Sequence, residues 1–214
     1  MQTISQKSLN DLMYYRTIPV FRYDINYPFF TTTCSSSAAN SINSHYASLA
    51  KQKESYCRNT LFPQAAENAQ FIQVNYPPFN TYEFHMTYEV TYNSNCITSL
   101  YLEEYTFMGG AHGATVRTSD TWDFRSGNKM ELKDFFKHNP NYRQDLENWI
   151  IHQISQKTKD NQTAYFDDYA KLVKDTFQPD SFYLIPQGII IYFQQYDIAP
   201  YASGIPEFLI PFPQ

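Results

Sequence analysis

The chain has 214 residues and a mass of 25.1 kDa, long enough to bury a core without disulfides or metal. With 43% hydrophobic and 17% charged residues it falls outside the disordered and fibrous classes. Net charge is −5, with −2 in residues 1–107 and −3 in 108–214, and no basic cluster stands out. The phosphate-neutralising patch of a nucleic-acid binder is therefore missing, as is a polybasic membrane anchor.

No apolar run approaches the roughly 18 residues of a membrane span, so direct membrane insertion by this chain is not expected. Residues Met1 to Lys7 carry neither the apolar core nor the cleavage site of a signal peptide. That leaves two localisations open: the cytoplasm, or a compartment reached by a targeting segment that this sequence does not contain. Cys34, Cys57 and Cys96 are an odd number at spacings that fit no zinc pattern. Three structural thiols are expected, with a Cys34–Cys57 bridge as the alternative.

In chain order, residues 12–30 read as one or two extended segments, rich in β-formers from Tyr14 to Ile25 and stopped at Tyr27-Pro28. The period then changes. Ser35, Ser36 and Ser37 offer N-caps, and Ala39, Ile42, Tyr46, Leu49, Lys53 and Tyr56 recur every three or four residues, giving an amphipathic helix over 36–61. Pro63 ends or kinks it, and Ala65, Ala66, Ala69 and Ile72 continue it to about 73 before Tyr76-Pro77-Pro78.

Residues 81–92 alternate cleanly, with Tyr82, Phe84, Met86, Tyr88, Val90 and Tyr92 on one face. Asn93-Ser94-Asn95 turns the chain into a second strand over 97–107, making a hairpin. A Gly-rich break at 109–113 precedes a strand over 115–124 and a turn at 125–128. A helical turn at 131–136 leads into helices over 141–157 and 164–175. Strands at 182–185 and 189–193 flank a turn at Pro186-Gln187-Gly188, and 208–210 is the last strand. Segregated runs of this kind indicate an α+β fold, an antiparallel β-sheet with helices packed on one side. Residues 1–107 hold the strands, long helix and hairpin, and 108–214 hold the Gly-rich and Tyr-rich loops; together they read as one compact unit.

Two loops carry the candidate sites. Gly109-Gly110-Ala111-His112-Gly113 lacks the Lys-Ser/Thr of a phosphate loop and runs into a strand rather than a helix. It reads as a structural turn: Gly109, Gly110 and Gly113 for φ > 0 and close approach, His112 for a backbone hydrogen bond. The rival reading is an uncharacterised hydrolase centred on His112 with Asp120 and Asp123. No His or Cys pair is spaced to seed a metal site, no Gly-x-Ser-x-Gly elbow occurs, and no cofactor is expected. The second loop, Tyr196 to Gly204, follows the most apolar strand. Pro200 stiffens it, Tyr201 offers a ring at small entropy cost, and Gly204 lets it turn back. It reads equally as a partner contact and as a strand connection whose tyrosines cover the core edge.

The Thr106-Phe107-Met108-Gly109-Gly110-Ala111-His112-Gly113 segment is followed by Trp122-Asp123, Gly127 and Leu132-Lys133-Asp134-Phe135-Phe136. Later come Phe182-Tyr183-Leu184, Gly188, Ile191-Tyr192-Phe193 and Tyr196-Asp197-Ile198-Ala199-Pro200-Tyr201-Ala202-Ser203-Gly204. As an ordered set over roughly 10–212, these resemble the extracytoplasmic domain shared by RsiV-type lysozyme-sensing anti-sigma factors and PdaC-type peptidoglycan deacetylases. The resemblance implies an α+β non-catalytic module outside the membrane, with a partner such as lysozyme or a cell-wall glycan. The sigma-binding segment, the membrane helix and the deacetylase catalytic domain with its metal-binding histidines have no counterpart in this sequence. Sensing or binding is therefore implied by analogy, and the third expectation is an intracellular structural or regulatory protein.

Overall fold

Polar residues open the chain, yet they form a strand. A computed structural model describes residues 1–71, 79–159 and 164–212, in which β1 (Thr3–Tyr15) pairs antiparallel with β2 (Ile18–Thr31). The expected boundary at residue 12 fell short because β1 is an edge strand. Most of its side chains from Thr3 to Ser8 face water and show no apolar alternation.

The chain then enters α1 (Ser36–Tyr56), capped by Ser35, whose hydroxyl accepts from the Ala38 N–H. A π-helical turn, Cys57–Leu61, joins it without a break to α2 (Phe62–Ala69). In that wider turn the Phe62 N–H reaches back to the Cys57 carbonyl, and Pro63 follows at the start of α2. The proline therefore neither ends nor breaks the helix, because the π turn absorbs the lost donor and the ring clash. The expected continuation to Ile72 and beyond, and the break at Tyr76-Pro77-Pro78, lie outside the described residues.

After this crossover, β3 (Tyr82–Ser94) lies beside β2 in parallel, with Tyr23 opposite Phe84 and Ile25 opposite Met86. The sheet is thus mixed, since a helical crossover is the usual route to a parallel pair. The other registers seen, β1–β2 and β5–β6, are antiparallel. The β3 turn is tighter than expected: Asn95 and Cys96 both have positive φ, 49° and 62°, the signature of a two-residue type I′ hairpin. It leads to β4 (Ile97–Phe107), β5 (Ala114–Asp123) and β6 (Asn128–Lys129), and the six strands are ordered β1 to β6 across the sheet.

Two compact units result. Residues 1–89, 102–116 and 124–127 form the first, and 90–101, 117–123 and 128–214 the second, so β3, β4 and β5 each contribute to both. The first unit buries Phe21, Tyr23, Ile25 and Phe84 with Ile42, Tyr46 and Ala50 of α1. Phe30 meets Tyr46 and Phe124 ring to ring. Tyr23 donates to Glu54 and accepts from Arg58; burial, with help from Glu54, pushes its phenol up to about 12.

The second unit adds α3 (Tyr142–Lys159), α4 (Tyr169–Thr176) and the antiparallel sheet β7 (Phe182–Ile185), β8 (Gly188–Tyr192) and β9 (Glu207–Pro211). Its core joins Leu146, Ile150 and Ile154 of α3 to Phe182, Leu184, Ile189, Ile191 and Phe208. The α4 helix starts later than the expected residue 164.

The cysteines depart from expectation. Cys34 and Cys96 are disulfide-bonded, whereas Cys57 is the free thiol. Cys57 sits in the core on the π turn with no exposed surface, so neither three free thiols nor a Cys34–Cys57 bridge describes the chain.

Candidate functional site

The Tyr-rich loop is built on the most buried strand of the second unit. All five residues of β8 are buried between β7 and β9. A side chain at Gly188 would strike the Ile210 carbonyl, so only glycine lets β9 close on it. At the loop base the Phe193 N–H donates to the Pro206 carbonyl.

Side chains then fix the loop. The Gln194 amide pairs with the Arg117 main chain of β5 as a strand would: its Nε2 donates to the Arg117 carbonyl (2.6 Å), and its Oε1 accepts from the Arg117 N–H (3.0 Å). Asp197 accepts from the Gln194 N–H at 2.8 Å; burial raises its carboxyl above the usual range, partly offset by that bond. Ile198 and Ala199 are buried, and the Ile198 carbonyl accepts from the Phe166 N–H. The Ser203 hydroxyl ties the far side to the Ala164 carbonyl at 2.9 Å.

Between these anchors stand the rings. Pro200 (φ −63°) starts a single 3-10 turn, Tyr201–Ser203, and Gly204 (φ 68°, ψ −137°) ends it in a conformation that L side chains rarely adopt. Tyr201 and Pro200 are half-buried, as is Gly204. Tyr196, which the sequence reading did not single out, has positive φ (69°) and is 55% exposed. Its ring centroid lies 5.9 Å from that of Tyr201. The pair is a small aromatic surface held at both ends by main-chain bonds.

Beneath the loop lies a charged group in an aromatic setting, also missed from sequence. The Arg117 guanidinium lies over Tyr101 at 4.1 Å and Tyr192 at 5.6 Å and is ion-paired with Glu207. Burial, reinforced by Glu207, drives the Tyr183 phenol upward. Hydroxyls complete the packing: Ser119 donates to the Phe182 carbonyl, Tyr192 to Ser119, and Ser99 accepts the Leu184 N–H. Alternation in β5 was the available signal, since Arg117, Ser119 and Thr121 recur at period two and are all buried.

The glycine-rich loop belongs to the first unit. Gly109 (φ 86°) and Gly110 (φ 93°) are left-handed, and a side chain at Gly109 would meet the Tyr82 hydroxyl at 2.9 Å. A side chain at Gly113 would stand 2.5 Å from the Tyr105 ring. His112 is exposed, and its Nδ1 lies 2.9 Å from the Gly113 carbonyl oxygen. Asp120 is ion-paired with Lys129 at 2.7 Å. Three positions apart on one strand, Asp120 and Asp123 point to opposite faces. His112 precedes β5 and belongs to the first unit, whereas Asp120 and Asp123 lie on the part of β5 that belongs to the second. Among the described residues no group of three or more His, Cys, Asp or Glu could hold a metal ion.

Comparison with known proteins agrees with this fold. Residues 17–115 match the family described as "Deacetylase PdaC", and 133–213 match DUF3298, a family of unknown function. The two matches, in this order along the chain, support a PdaC/DUF3298-type family. It is 27% identical over 128 residues to the peptidoglycan-N-acetylmuramic acid deacetylase PdaC of Bacillus subtilis, covering 51% of this chain and 27% of that protein. The chain thus spans about a quarter of the length of this curated relative. A DUF3298-family structure from Bacteroides fragilis superposes with a TM-score of 0.71 at 20% identity, over 99% of this chain and 90% of that one. Another, from Pseudomonas aeruginosa, gives 0.63 at 18% identity, over 100% and 92%. At such identities the likeness speaks for the α+β fold. No helix among the described residues is long and apolar enough to cross a membrane.

Proposed function

We propose that this chain is a non-catalytic binding or sensing module that works outside the cytoplasm and recognises a cell-wall-related protein such as lysozyme, or a cell-wall glycan. The observation that carries the reading is the Tyr196–Tyr201 ring pair on a loop anchored by Gln194, Asp197 and Ser203. A ring surface that is already ordered loses little entropy on binding, which is the property of an interface hot spot. Two further facts support it. The disulfide-bonded Cys34 and Cys96 suit an oxidising compartment. The curated relative is named for action on peptidoglycan.

The test is co-sedimentation with insoluble peptidoglycan and capture on immobilised lysozyme, beside an assay for release of acetate from peptidoglycan fragments. The reading expects retention on one of the two supports, weakened by Tyr201→Ala, and no acetate release. A hot-spot ring truncated to Ala weakens binding by at least about 2 kcal/mol, some thirtyfold. Acetate release by wild type, lost on His112→Ala with unchanged melting, would overturn it in favour of an enzyme.

A further inference from the structure

The first unit ends on a sheet edge that is long and largely unprotected. Edge strands are normally short, charged, interrupted by proline or covered, because their outer N–H and C=O groups invite another strand. β1 runs for 13 residues and contains no proline. Its two charges are Lys7, which lies over the Phe29 ring at 5.3 Å, and Asp11, which is paired with Arg58 at 2.7 Å. Leu12 and Tyr14 are 43% and 52% exposed. The edge of the smaller sheet is treated differently: Trp149 and Gln153 of α3 both donate to the Leu209 carbonyl of β9. Among the described residues no side chain of another element bonds to the outer backbone of β1.

The direction of that backbone can be read. The Leu12 N–H donates to the Asp11 carboxylate at 2.9 Å rather than to β2, so it points outward. N–H direction alternates along a strand, and the register shift of β1 falls beyond this stretch, between Met13 and Tyr14. The outward groups are therefore those of Ile4, Gln6, Ser8, Asn10 and Leu12.

The geometry points to a two-fold homodimer in which β1 pairs antiparallel with β1 of a second copy, centred on Leu9. Charge selects this register. With Leu9 opposite Leu9, Lys7 stands opposite the second copy's Asp11, and Asp11 opposite its Lys7, in the closer, non-hydrogen-bonded positions of the ladder. Gln6 and Leu12 then form a hydrogen-bonded pair, the Leu12 N–H exchanging the Asp11 carboxylate for the Gln6 carbonyl, as do Ser8 and Asn10. These pairs and their symmetry mates give about eight main-chain hydrogen bonds, within the roughly 10 ± 5 of an established interface. The exposed Leu12 side chain comes to lie beside Gln6 of the other copy. An isologous contact of this kind closes on itself, so it stops at two.

Sedimentation equilibrium of the intact chain tests it, with circular dichroism melts to confirm folding. Wild type is expected to dimerise at micromolar to tens-of-micromolar concentration. Ser8→Pro removes an outward donor without touching the β2 ladder, and is expected to weaken the dimer at least tenfold. Lys7→Glu and Asp11→Lys place like charges opposite each other and are each expected to be monomeric. Mixed in equal amounts they restore opposite charges and form a heterodimer. A wild type that stays monomeric at concentrations about tenfold above that range, or a dimer that Ser8→Pro and Lys7→Glu leave unchanged, would overturn the proposal.

Discussion

Replacing Glu207 by Gln probes the charged group under the loop. The Arg117 side chain is 9% exposed and that of Glu207 is 39% exposed. Removing one partner of a fully buried pair costs about 3–5 kcal/mol, because the other charge is left without compensation. Water reaches Glu207, which screens part of that loss, and the Tyr101 and Tyr192 rings still face the guanidinium. Glu207→Gln should therefore destabilise by about 2 kcal/mol, a fall in Tm of about 4–8 °C for a chain of this size. Arg117→Met combined with Glu207→Gln removes both charges and should recover about half of that loss, a coupling that a double-mutant cycle by urea titration reads directly. A Glu207→Gln variant melting within about 2 °C of wild type would show that the pair acts as an exposed one and does not hold the loop base.

Three further outcomes follow from single groups. Under non-reducing conditions the folded chain should show no thiol reactive to Ellman's reagent, the unfolded chain one (Cys57), and the reduced, unfolded chain three, with rapid native reaction contradicting the burial of Cys57, whose thiol burial pushes up to about 12. Because burial raises the Asp197 carboxyl, the folded state keeps that proton to higher pH than the unfolded state, and its contribution to stability falls as pH rises from about 3.9 through the raised value. Asp197→Asn should gain on wild type across that window and run parallel to it above, as urea melts from pH 3.5 to 7 would show; a difference that does not vary with pH refutes this. Gly113→Ala, which would push a methyl against Tyr105, should cost about 1–3 kcal/mol, and the exposed His112→Ala less than about 1 kcal/mol; the reverse ranking in thermal melts would give His112 more than a turn-fixing role.

The α+β class and most strands were legible because their periods are clear. Tyr82, Phe84 and Met86 alternate into the core, and Ile189 to Ile191 form a run too apolar for anything but a central strand. β1 was partly hidden because an edge strand wet on its outer side has no apolar period to detect. The parallel β2–β3 pair was hidden for another reason: pairing direction depends on where the crossover helices lead, which local patterns do not encode. At the candidate site, Pro200 and Gly204 announced the turn through their backbone preferences. Tyr196 did not, since its exposure depends on a positive φ that Tyr rarely adopts. Arg117 was passed over because one basic residue in a strand ordinarily faces solvent, and it is the meeting with Tyr101, Tyr192 and Glu207 that helps make its burial tolerable.

Hydrogen exchange of the folded chain with and without soluble peptidoglycan fragments or lysozyme, read by mass spectrometry, tests recognition by the anchored tyrosine loop most directly. The account predicts added protection in peptides covering residues 194–205 with one of these ligands, absent in the Tyr196→Ala, Tyr201→Ala double variant. Protection that falls instead on the His112 loop, or no change anywhere with either ligand at saturating concentration, would contradict it.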